Sequence, residues 1–318
     1  MSKFIADQIS KSSPRVLLIG DLMLDKYIFG SVERISPEAP VPIVSLVSEK
    51  QMLGGCGNVL RNLNNLGVKT SIISAVGDDA IGKSILKKLQ EKNISTSKIL
   101  IMNKKRSTEK TRIIADRQQI ARVDWDMENF NDSDYNSILD FLTEDIKLFD
   151  GIIISDYLKG ICSSKVLKRI IDNARKNLIP VFIDPKGDDW DKYRFANLIT
   201  PNKKEAELVI GSKLNSNKDF ESAGYQICED YSIDACLITR GSDGMSYIST
   251  NDVLHLKSNA KEIFDVSGAG DTVIAAISTG LMIDLGIEQS VDFANKAAGI
   301  VVSHIGTSAI TIEEIKGL

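Results

Sequence analysis

Short apolar runs alternate along the chain with segments whose apolar residues recur at helical spacing. The apolar runs are rich in Val and Ile, are typical of buried strands, and span residues 15–20, 71–76, 151–155, 181–184, 198–200 and 235–240. The helical spacing extends over residues 59–66, 81–92, 133–148, 163–177 and 218–231. Because strands that alternate with helices pair in parallel through right-handed crossovers, the pattern predicts an α/β fold with a doubly wound, mostly parallel sheet.

Two stretches lack the helix that this alternation needs. Residues 27–48 contain three prolines beside two β-like runs, and residues 99–123 alternate polar and apolar positions. Loop-length statistics favour a pair of long surface excursions as one interpretation. The other is a small accessory β-sheet, inserted twice, that covers the carboxyl ends of the main strands. No linker or internal repeat divides the sequence, so we expect a single domain over residues 1–318, with a lid formed by approximately residues 22–50 and 99–123.

Composition mainly excludes classes of protein. The 318 residues are 43% hydrophobic and 26% charged, which is ordinary for a globular protein. The net charge is −4, so neither nucleic acid nor an anionic membrane is an expected partner. Four cysteines without a CxxC pair, and only two histidines, do not support a zinc site or a disulfide framework and indicate a reduced, cytoplasmic protein. There is no apolar signal core, and the longest nearly apolar run, residues 273–283, is too short for a membrane span.

Residues 77–84, GDDAIGKS, fit the P-loop pattern GxxxxGK[ST] and follow a predicted strand. Asp78 and Asp79 would repel a triphosphate inside such a loop, and this strand is not the first in the chain. We therefore favour a turn that leads into a helix, and a P-loop NTPase that uses Lys83 and Ser84 is a weaker alternative. The chain has no GxGxxG, so dinucleotide binding lacks its usual motif.

The segment DVSGAGDTV, residues 265–273, opens an apolar helix and is the most informative motif. Its glycines leave the backbone N–H groups of Gly268, Ala269 and Gly270 exposed at a helix start, where the helix dipole favours an anion. Asp271, in the same turn, could accept the proton of an attacking hydroxyl as a general base. The alternative is that Asp271 only caps the helix, and this segment alone does not decide between them.

Two further segments place polar residues beside glycines or at a strand end. GGCGNVLRNLNNLG begins a helix with Gly54, Gly55 and Asn58, where the backbone must approach a ligand closely. Asn58 would donate to substrate hydroxyls or, equally well, cap the helix. GDLMLD follows the first strand and places Asp21 at its carboxyl end, where a carboxylate is suited to bind a polyol.

The segment NKKE follows the strand at residues 198–200 and offers Asn202 and Glu205 on one face of a first helical turn. This pair could hold a hydrated Mg²⁺ on nucleotide phosphates, because Mg²⁺ keeps several waters and takes few protein ligands. The alternative is a capping box, in which each residue satisfies the backbone of the other.

These segments, in this order and together with TRGSDGM at residues 239–245, resemble the signature regions of the PfkB/ribokinase family of sugar kinases over essentially the whole chain. The resemblance implies a ribokinase-like fold and ATP-dependent phosphorylation of a sugar hydroxyl with Mg²⁺. It implies that Asp271 is the catalytic base and that Gly268, Ala269 and Gly270 form the anion hole. It also implies that Asn202 and Glu205 position Mg²⁺ and ATP, with Glu205 near the metal.

The same resemblance implies a nucleotide site and a mode of assembly. Thr239, Gly241 and Gly244 lie in the segment that resembles the nucleotide-binding loop, and Asn295 begins the segment that would close over the adenine. Asp265 and the loop near Gly306 correspond to a monovalent-cation (K⁺) site in some relatives. Family members often pair through their lids, so we expect a homodimer built from the two lid segments.

Residues 20–46 and 111–124 resemble the branch of the family that phosphorylates heptose 7-phosphate at C1 in bacterial lipopolysaccharide synthesis, in the form that has the kinase alone. A substrate that already has a phosphate needs a cation, and the candidates are Lys186, Arg112, Arg117 and Arg122. Arg122 lies beside Asp124, so a surface ion pair explains it better.

Two other functions remain open. One is another kinase of this family, acting on fructose, ribose or a nucleoside, because a fold does not fix a substrate. The other is a non-catalytic protein that binds a sugar or a nucleotide. Retention of Asp271 argues against it, since binding alone needs no base.

Overall fold

The computed structural model describes residues 2–116, 118–127, 130–143, 146–260, 262, 265–304 and 308–316. The helices are α1 Ser2–Ser12, α2 Cys56–Asn65, α3 Ala80–Gln90, α4 Asp132–Asp140, α5 Ser164–Lys176, α6 Lys203–Ile210, α7 Asn217–Tyr231, α8 Ala269–Met282, α9 Ile287–Val301 and α10 Ile312–Lys316. The strands are β1 Arg15–Gly20, β2 Leu22–Ile35, β3 Pro42–Gly55, β4 Lys69–Gly77, β5 Ile99–Met102, β6 Glu109–Ala115, β7 Gln118–Trp125, β8 Gly151–Ser155, β9 Val181–Asp184, β10 Leu198–Ile199, β11 Ala235–Thr239, β12 Met245–Ser249 and β13 Val253–Leu256.

Nine strands form the main sheet in the order β13-β12-β11-β10-β9-β8-β1-β4-β5. Seven neighbouring strands of this sheet run parallel, namely β5, β4, β1, β8, β9, β10 and β11. At the other edge, β12 is antiparallel to β11 and β13 is antiparallel to β12. One cluster of buried apolar residues joins the sheet to α2, α8 and α9. A second cluster, which shares no residue with the first, joins the sheet to α5 and α7. Alternate residues of a strand such as β1 enter different cores, as burial of a sheet on both faces requires. The predicted α/β fold is confirmed.

The second sheet has four strands in the order β3-β2-β6-β7. It confirms the prediction of an accessory sheet made from two insertions, but its boundaries correct the predicted ones. β5 pairs in parallel with β4 at the edge of the main sheet, and both Ile99 and Met102 are buried there. The second insertion therefore begins at Glu109 rather than at residue 99, and the first extends to Gly55.

Several elements differ from the pattern-based prediction, which did not include α1, α9, α10, β12 or β13. The helix expected over residues 133–148 ends at Asp140, and short 3₁₀ turns follow at Phe141–Thr143 and Ile146–Leu148. Apolar spacing alone does not distinguish the two helix types over such short lengths. β12 is buried at all of its positions, as is typical of a strand inside a sheet that is covered on both faces.

The topology brings several strand ends to one place. β1, β8, β9, β10 and β11 are parallel and end at the same edge of the main sheet. The small sheet begins at this edge, because β2 starts just after β1 and β3 leads directly into α2. Ligands of open α/β sheets bind at this carboxyl edge. In the described part of the chain, no helix has the length and apolar content needed to cross a membrane.

Candidate active site

Asp271 lies at the carboxyl edge of the main sheet, in the first turn of α8, and only 4% of its surface is exposed. Each of its carboxylate oxygens accepts a hydrogen bond. The Tyr157 hydroxyl donates to Oδ1 over 2.7 Å, and the Asn58 amide donates to Oδ2 over 2.9 Å. Burial raises the pKa of Asp271 to about 6, and these two hydrogen bonds oppose the rise because they stabilise the ionised form. Asp271 is therefore ionised at pH 7, with a pKa suited to accepting a proton.

The start of α8 presents open backbone donors beside this carboxylate. Gly268 caps the helix with a φ of +84°, a conformation that favours glycine. Among the described residues, no backbone acceptor binds the N–H of Gly268, Gly270 or Asp271. The N–H of Ala269 instead donates to the carbonyl of Val266 over 3.2 Å. Of the three predicted anion-hole donors, Gly268 and Gly270 are therefore open and Ala269 is not, and the N–H of Asp271 is open as well.

A polar cavity of about 120 Å³ lies beside Asp271. Its other lining residues come mostly from strand ends and from the start of α6, and they include Asp184, Lys186, Thr200, Asn202, Glu205 and Thr239. Burial first, and then the charges of Asp271 and Glu205, raise the pKa of Asp184 well above its usual range. Within the described residues, no donor hydrogen-bonds to the Asp184 carboxylate. Our sequence analysis did not single out this residue, whose only signal is its position at a strand end.

Asn202 and Glu205 form the capping box that was one of the two interpretations of NKKE. The Glu205 N–H donates to Asn202 Oδ1 over 3.0 Å, and the Asn202 N–H donates to Glu205 Oε2 over 2.9 Å. The other Glu205 oxygen accepts a hydrogen bond from Lys186 Nζ over 2.6 Å. Although burial opposes it, this bond raises the pKa of Lys186. Asn202 and Glu205 both line the polar cavity. They therefore stabilise the start of α6 and also lie at the candidate site.

An apolar cavity of about 110 Å³ adjoins the polar one, and both are lined by Thr239 and Gly270. Its remaining walls include the turn after β11, with Gly241 and Gly244, and one face of α9, with Asn295, Ala298, Gly299 and Val302. The Asn295 amide donates to the carbonyl of Lys257 over 2.7 Å, so it holds the wall of the cavity. An apolar cavity that adjoins a polar one suits a nucleotide, with its base in the first and its phosphates in the second.

The small sheet places cations near Asp271, on residues that line neither of the two cavities. Asp25 of β2 pairs with Lys110 of β6, and Arg112 follows on the same face of that strand. Arg112 donates to Asp25 Oδ1 over 2.6 Å, and the Lys110 ammonium lies 5.5 Å from the centre of the Tyr157 ring. The charges of Asp25 and Lys110 both influence the pKa of Asp271, so this face borders the base.

Asp21, which was predicted to bind the substrate, and Asp25, for which no role was predicted, lie in different surroundings. Both Asp21 oxygens are occupied by backbone N–H groups of the loop after β8, and Asp21 lines neither of the cavities described above. The expected polyol contact of Asp21 is therefore not supported. Asp25, which the sequence analysis missed, lies beside the base instead. Gly54 is needed there because a Cβ at this position would collide with the Asp25 carboxylate, and Gly55, at φ +58°, turns the chain into α2.

Two more predicted substrate contacts have protein partners in the structure. The Asn58 amide donates to Asp271, and its carbonyl oxygen accepts a hydrogen bond from Arg61 over 3.3 Å, so Asn58 binds the Asp271 carboxylate and its contact with a sugar hydroxyl stays a prediction. Lys186 lies in the polar nucleotide-side cavity, where it pairs with Glu205. Of the two favoured cations for a substrate phosphate, only Arg112 lies on the small-sheet side.

The P-loop alternative has no support in the structure. Asp79 caps α3, and its carboxylate accepts hydrogen bonds from the backbone N–H groups of Gly82 and Ser107. An acid thus occupies the place that a phosphate would need. Lys83 is exposed and pairs with Asp78 over 3.5 Å.

The remaining candidates lie at the edges of the site or outside the described residues. The Asp265 carboxylate accepts a hydrogen bond from the Ser267 N–H over 2.8 Å. Gly306 and Arg117 fall outside the described residues, so the K⁺ site stays a prediction. Arg122 forms the expected surface ion pair with Asp124, at 2.9 Å.

Asp271, the open start of α8 and the two adjoining cavities lie together at the carboxyl edge of the main sheet. This arrangement suits the transfer of a phosphoryl group from a nucleotide to a hydroxyl, which is the reaction of a carbohydrate kinase. Residues 14–314 match the pfkB family carbohydrate kinase profile, and the chain belongs to this family.

Curated relatives are similar to this chain over nearly its whole length. The bifunctional protein HldE of Aliarcobacter butzleri is 40% identical over 304 residues, which cover 95% of this chain and 63% of the relative. The bifunctional protein HldE of Helicobacter pylori strain G27 is 40% identical over 302 residues, covering 95% of this chain and 65% of the relative. The chain thus spans less than two thirds of the length of these relatives.

Solved structures share the fold at low sequence identity. Phosphofructokinase-2 from Escherichia coli in complex with potassium superposes with a TM-score of 0.80 at 17% identity, over 96% of this chain and 97% of the other. Arabidopsis thaliana ribokinase complexed with ribose and ATP gives a TM-score of 0.75 at 17% identity, over 95% and 97% of the two chains. The ribokinase-like fold is therefore confirmed.

Proposed function

We propose that this protein transfers the γ-phosphoryl group of ATP to the C1 hydroxyl of D-glycero-β-D-manno-heptose 7-phosphate, giving the 1,7-bisphosphate. The observation that supports it most is the position of Asp271 between the two adjoining cavities and the cationic face of the small sheet. The heptose comes from the resemblance of residues 20–46 and 111–124 to that branch of the family. The proposal concerns the kinase reaction only.

Asp271 takes the proton of the attacking hydroxyl. Its carboxylate is ionised at pH 7, and its hydrogen bonds from Asn58 and Tyr157 fix its plane. The open N–H groups of Gly268 and Gly270, at the positive end of the α8 dipole, stabilise the charge that develops on the transferred group. A positioned base contributes about 10²–10⁴-fold to such a reaction.

Mg²⁺, which kinases of this kind need, would be held in the polar cavity. Asp184 fits it, because this partly buried carboxylate has no hydrogen-bond donor among the described residues and lines the cavity. Glu205 lies across the cavity but already binds Lys186 and the start of α6, so it would act through water. The ion supplies positive charge to the nucleotide phosphates, and Lys186 adds a protein cation on the same side.

The phosphate already present on the substrate would bind Lys110 and Arg112. Arg112 is bound to Asp25, whereas no carboxylate among the described residues lies within ion-pair distance of Lys110. Burial lowers the pKa of Lys110, since the charged form lacks a close anion. A distal phosphate would supply that anion through charge-assisted hydrogen bonds. Arg112 thus remains a substrate-binding candidate, and Lys110 joins it in place of Lys186.

The test is ATP turnover against heptose 7-phosphate, unphosphorylated heptose, fructose and ribose. We expect the phosphorylated heptose to react at least about 10-fold more efficiently in kcat/KM, since a charge-assisted hydrogen bond is worth about 1.5–3 kcal/mol. Lys110→Met or Arg112→Met should remove much of that preference. Arg122→Met is the matched control, because Arg122 is exposed on the neighbouring strand and paired with Asp124. Equal use of fructose or ribose would instead assign a different sugar kinase of the family.

We also propose that two copies pair through the small sheet. Leu46, Val47 and Val123 have more than half of their surface exposed there, and Ile35 and Val41 extend the apolar surface. Soluble proteins usually cover such apolar surface and sheet edges. A second copy would cover it with the same residues, as a two-fold interface requires.

A further inference from the structure

We propose that Tyr157 is a positioning residue for the general base: its hydroxyl, held in place by Asp21 through the loop backbone, fixes the Asp271 carboxylate for proton transfer. The inference rests on the proposed kinase function, which supplies the reaction in which it is measured. It assigns a role to a partly buried tyrosine, which lines the polar cavity, and to a buried aspartate, neither of which has a part in the phosphoryl transfer described above.

The first argument is the geometry at Asp271. Tyr157 donates to Oδ1 from the loop after β8, and Asn58 donates to Oδ2 from α2. With one donor on each oxygen, the carboxylate cannot rotate without breaking a hydrogen bond in a buried site. With Asn58 alone, rotation about the bond to the carboxylate carbon becomes easier. The Tyr157 hydroxyl therefore decides which lone pair faces the sugar.

The second argument is how firmly the loop itself is held. The Asp21 carboxylate accepts the backbone N–H groups of Tyr157 over 2.9 Å, Lys159 over 3.1 Å and Ile161 over 3.1 Å. Because three backbone N–H groups bind this one buried carboxylate, Asp21 fixes the path of the loop rather than contacting a ligand. Leu158, between them, has a φ of +57°, so the loop adopts a conformation that an L residue rarely takes unaided. Asp21 thus acts on the base through Tyr157.

The third argument is electrostatic. A donor to the ionised carboxylate lowers its pKa, so loss of the hydroxyl raises the pKa of Asp271. The other charged or titratable groups that act on Asp271 come from the elements around it and are Asp25, Cys56, Arg61, Lys110, Asp184 and Lys186. Tyr157→Phe changes none of them. A change in the pH dependence of kcat in this variant would therefore result from the loss of the Tyr157 hydroxyl.

The experiment compares the pH profiles of kcat and of KM for ATP in the wild type, Tyr157→Phe and Tyr193→Phe. Tyr193 is the matched control: it is fully buried near the same loop, and its hydroxyl donates over 2.7 Å to Asp156 instead of Asp271. We expect Tyr157→Phe to move the acidic limb of kcat up by about one pH unit and to lower kcat at pH 7 about 10-fold, with partial recovery at higher pH. KM for ATP should stay within about 2-fold. Tyr193→Phe should keep the wild-type limb.

An unshifted limb in Tyr157→Phe, or the same shift in Tyr193→Phe, would overturn the inference. Absence of wild-type turnover on every sugar would instead count against the proposed function. In that case, denaturant unfolding between pH 4 and 8 still tests the positioning. The difference in stability between Tyr157→Phe and the wild type should change with pH between about pH 6 and pH 7, because Asp271 keeps its proton to a higher pH in the variant, whereas Asp21 and Asp184, whose pKa values are also raised, contribute to both curves. Identical curves for the two proteins would overturn the inference on that measurement.

Discussion

Replacement of Asp271 by Asn should make the folded protein more stable at neutral pH while it removes the activity. Asp271 is buried, and burial raises its pKa from 3.8 to about 6. Between these two values the folded protein holds a proton that the unfolded chain has released. Folding therefore takes up a proton in this range, and the contribution of Asp271 to stability falls as the pH rises from about 4 to about 6. Above about pH 6, Asp271 is ionised in both the folded and the unfolded state, and its full destabilising effect on the folded protein remains.

The magnitude follows from the difference between the two pKa values. At about 1.4 kcal/mol per pKa unit, the rise from 3.8 to about 6 costs about 3 kcal/mol at pH 7. The asparagine side chain of the variant would be neutral at every pH and would not incur this cost. It would meet the Asn58 amide with its own amide, which loses a hydrogen bond worth about 1 kcal/mol at all pH values. The pH-dependent part of the difference is thus separable from the constant part.

The assay is chemical denaturation of Asp271→Asn and the wild type at pH 4, 5, 6, 7 and 8 without nucleotide. The stability of the variant relative to the wild type should increase by about 2.5 kcal/mol between pH 4 and pH 7, since a small part of the cost is already present at pH 4, and then remain constant. A difference that does not depend on pH would refute the reasoning, since the carboxylate would then not change its pKa on folding.

The same variant tests the chemistry. Turnover should fall by about 10²–10⁴-fold with little change in ATP affinity, because Asn keeps the size of the side chain and cannot accept the proton. A stabilised protein that binds ATP and does not turn over would show that loss of activity is not loss of fold. Near-normal turnover would remove Asp271 from the mechanism.

Four further outcomes are expected. Lys83→Ala should change kcat/KM less than about 2-fold, because Lys83 is exposed and outside the site; a P-loop NTPase would lose phosphate binding. Asp184→Asn should raise the Mg²⁺ concentration needed for half-maximal rate by at least about 10-fold, measured by titration. Lys186→Met should raise KM for ATP about 10-fold and leave the preference for a phosphorylated sugar unchanged. The wild type should sediment as a dimer at micromolar concentration, and the double variant Leu46→Asp, Val47→Asp as a monomer; a monomeric wild type would contradict the interface.

The sequence was sufficient for the parts of the fold that local periodicity encodes. Each of the six predicted strands is present in the main sheet, because continuous Val- and Ile-rich runs between helical patterns occur where both faces of a strand are buried. The start of α8 was also predictable, since glycine and a first-turn acid are local signals. For NKKE, local reasoning gave two interpretations, and the capping box is present while both residues line the cavity.

Only the tertiary structure decided which polar residues meet. Asp21 and Asp25 are two aspartates four residues apart in one motif, yet Asp21 binds a loop more than 130 residues away and Asp25 binds Arg112 of the small sheet. Asn58 and Asp271 are 213 residues apart in the chain. Periodicity reports whether a position is buried and says nothing of the partner that satisfies a buried polar group. Because such a group must find a partner within hydrogen-bond distance, the packing of the two sheets against α2 and α8 assigned the roles that the motif left open.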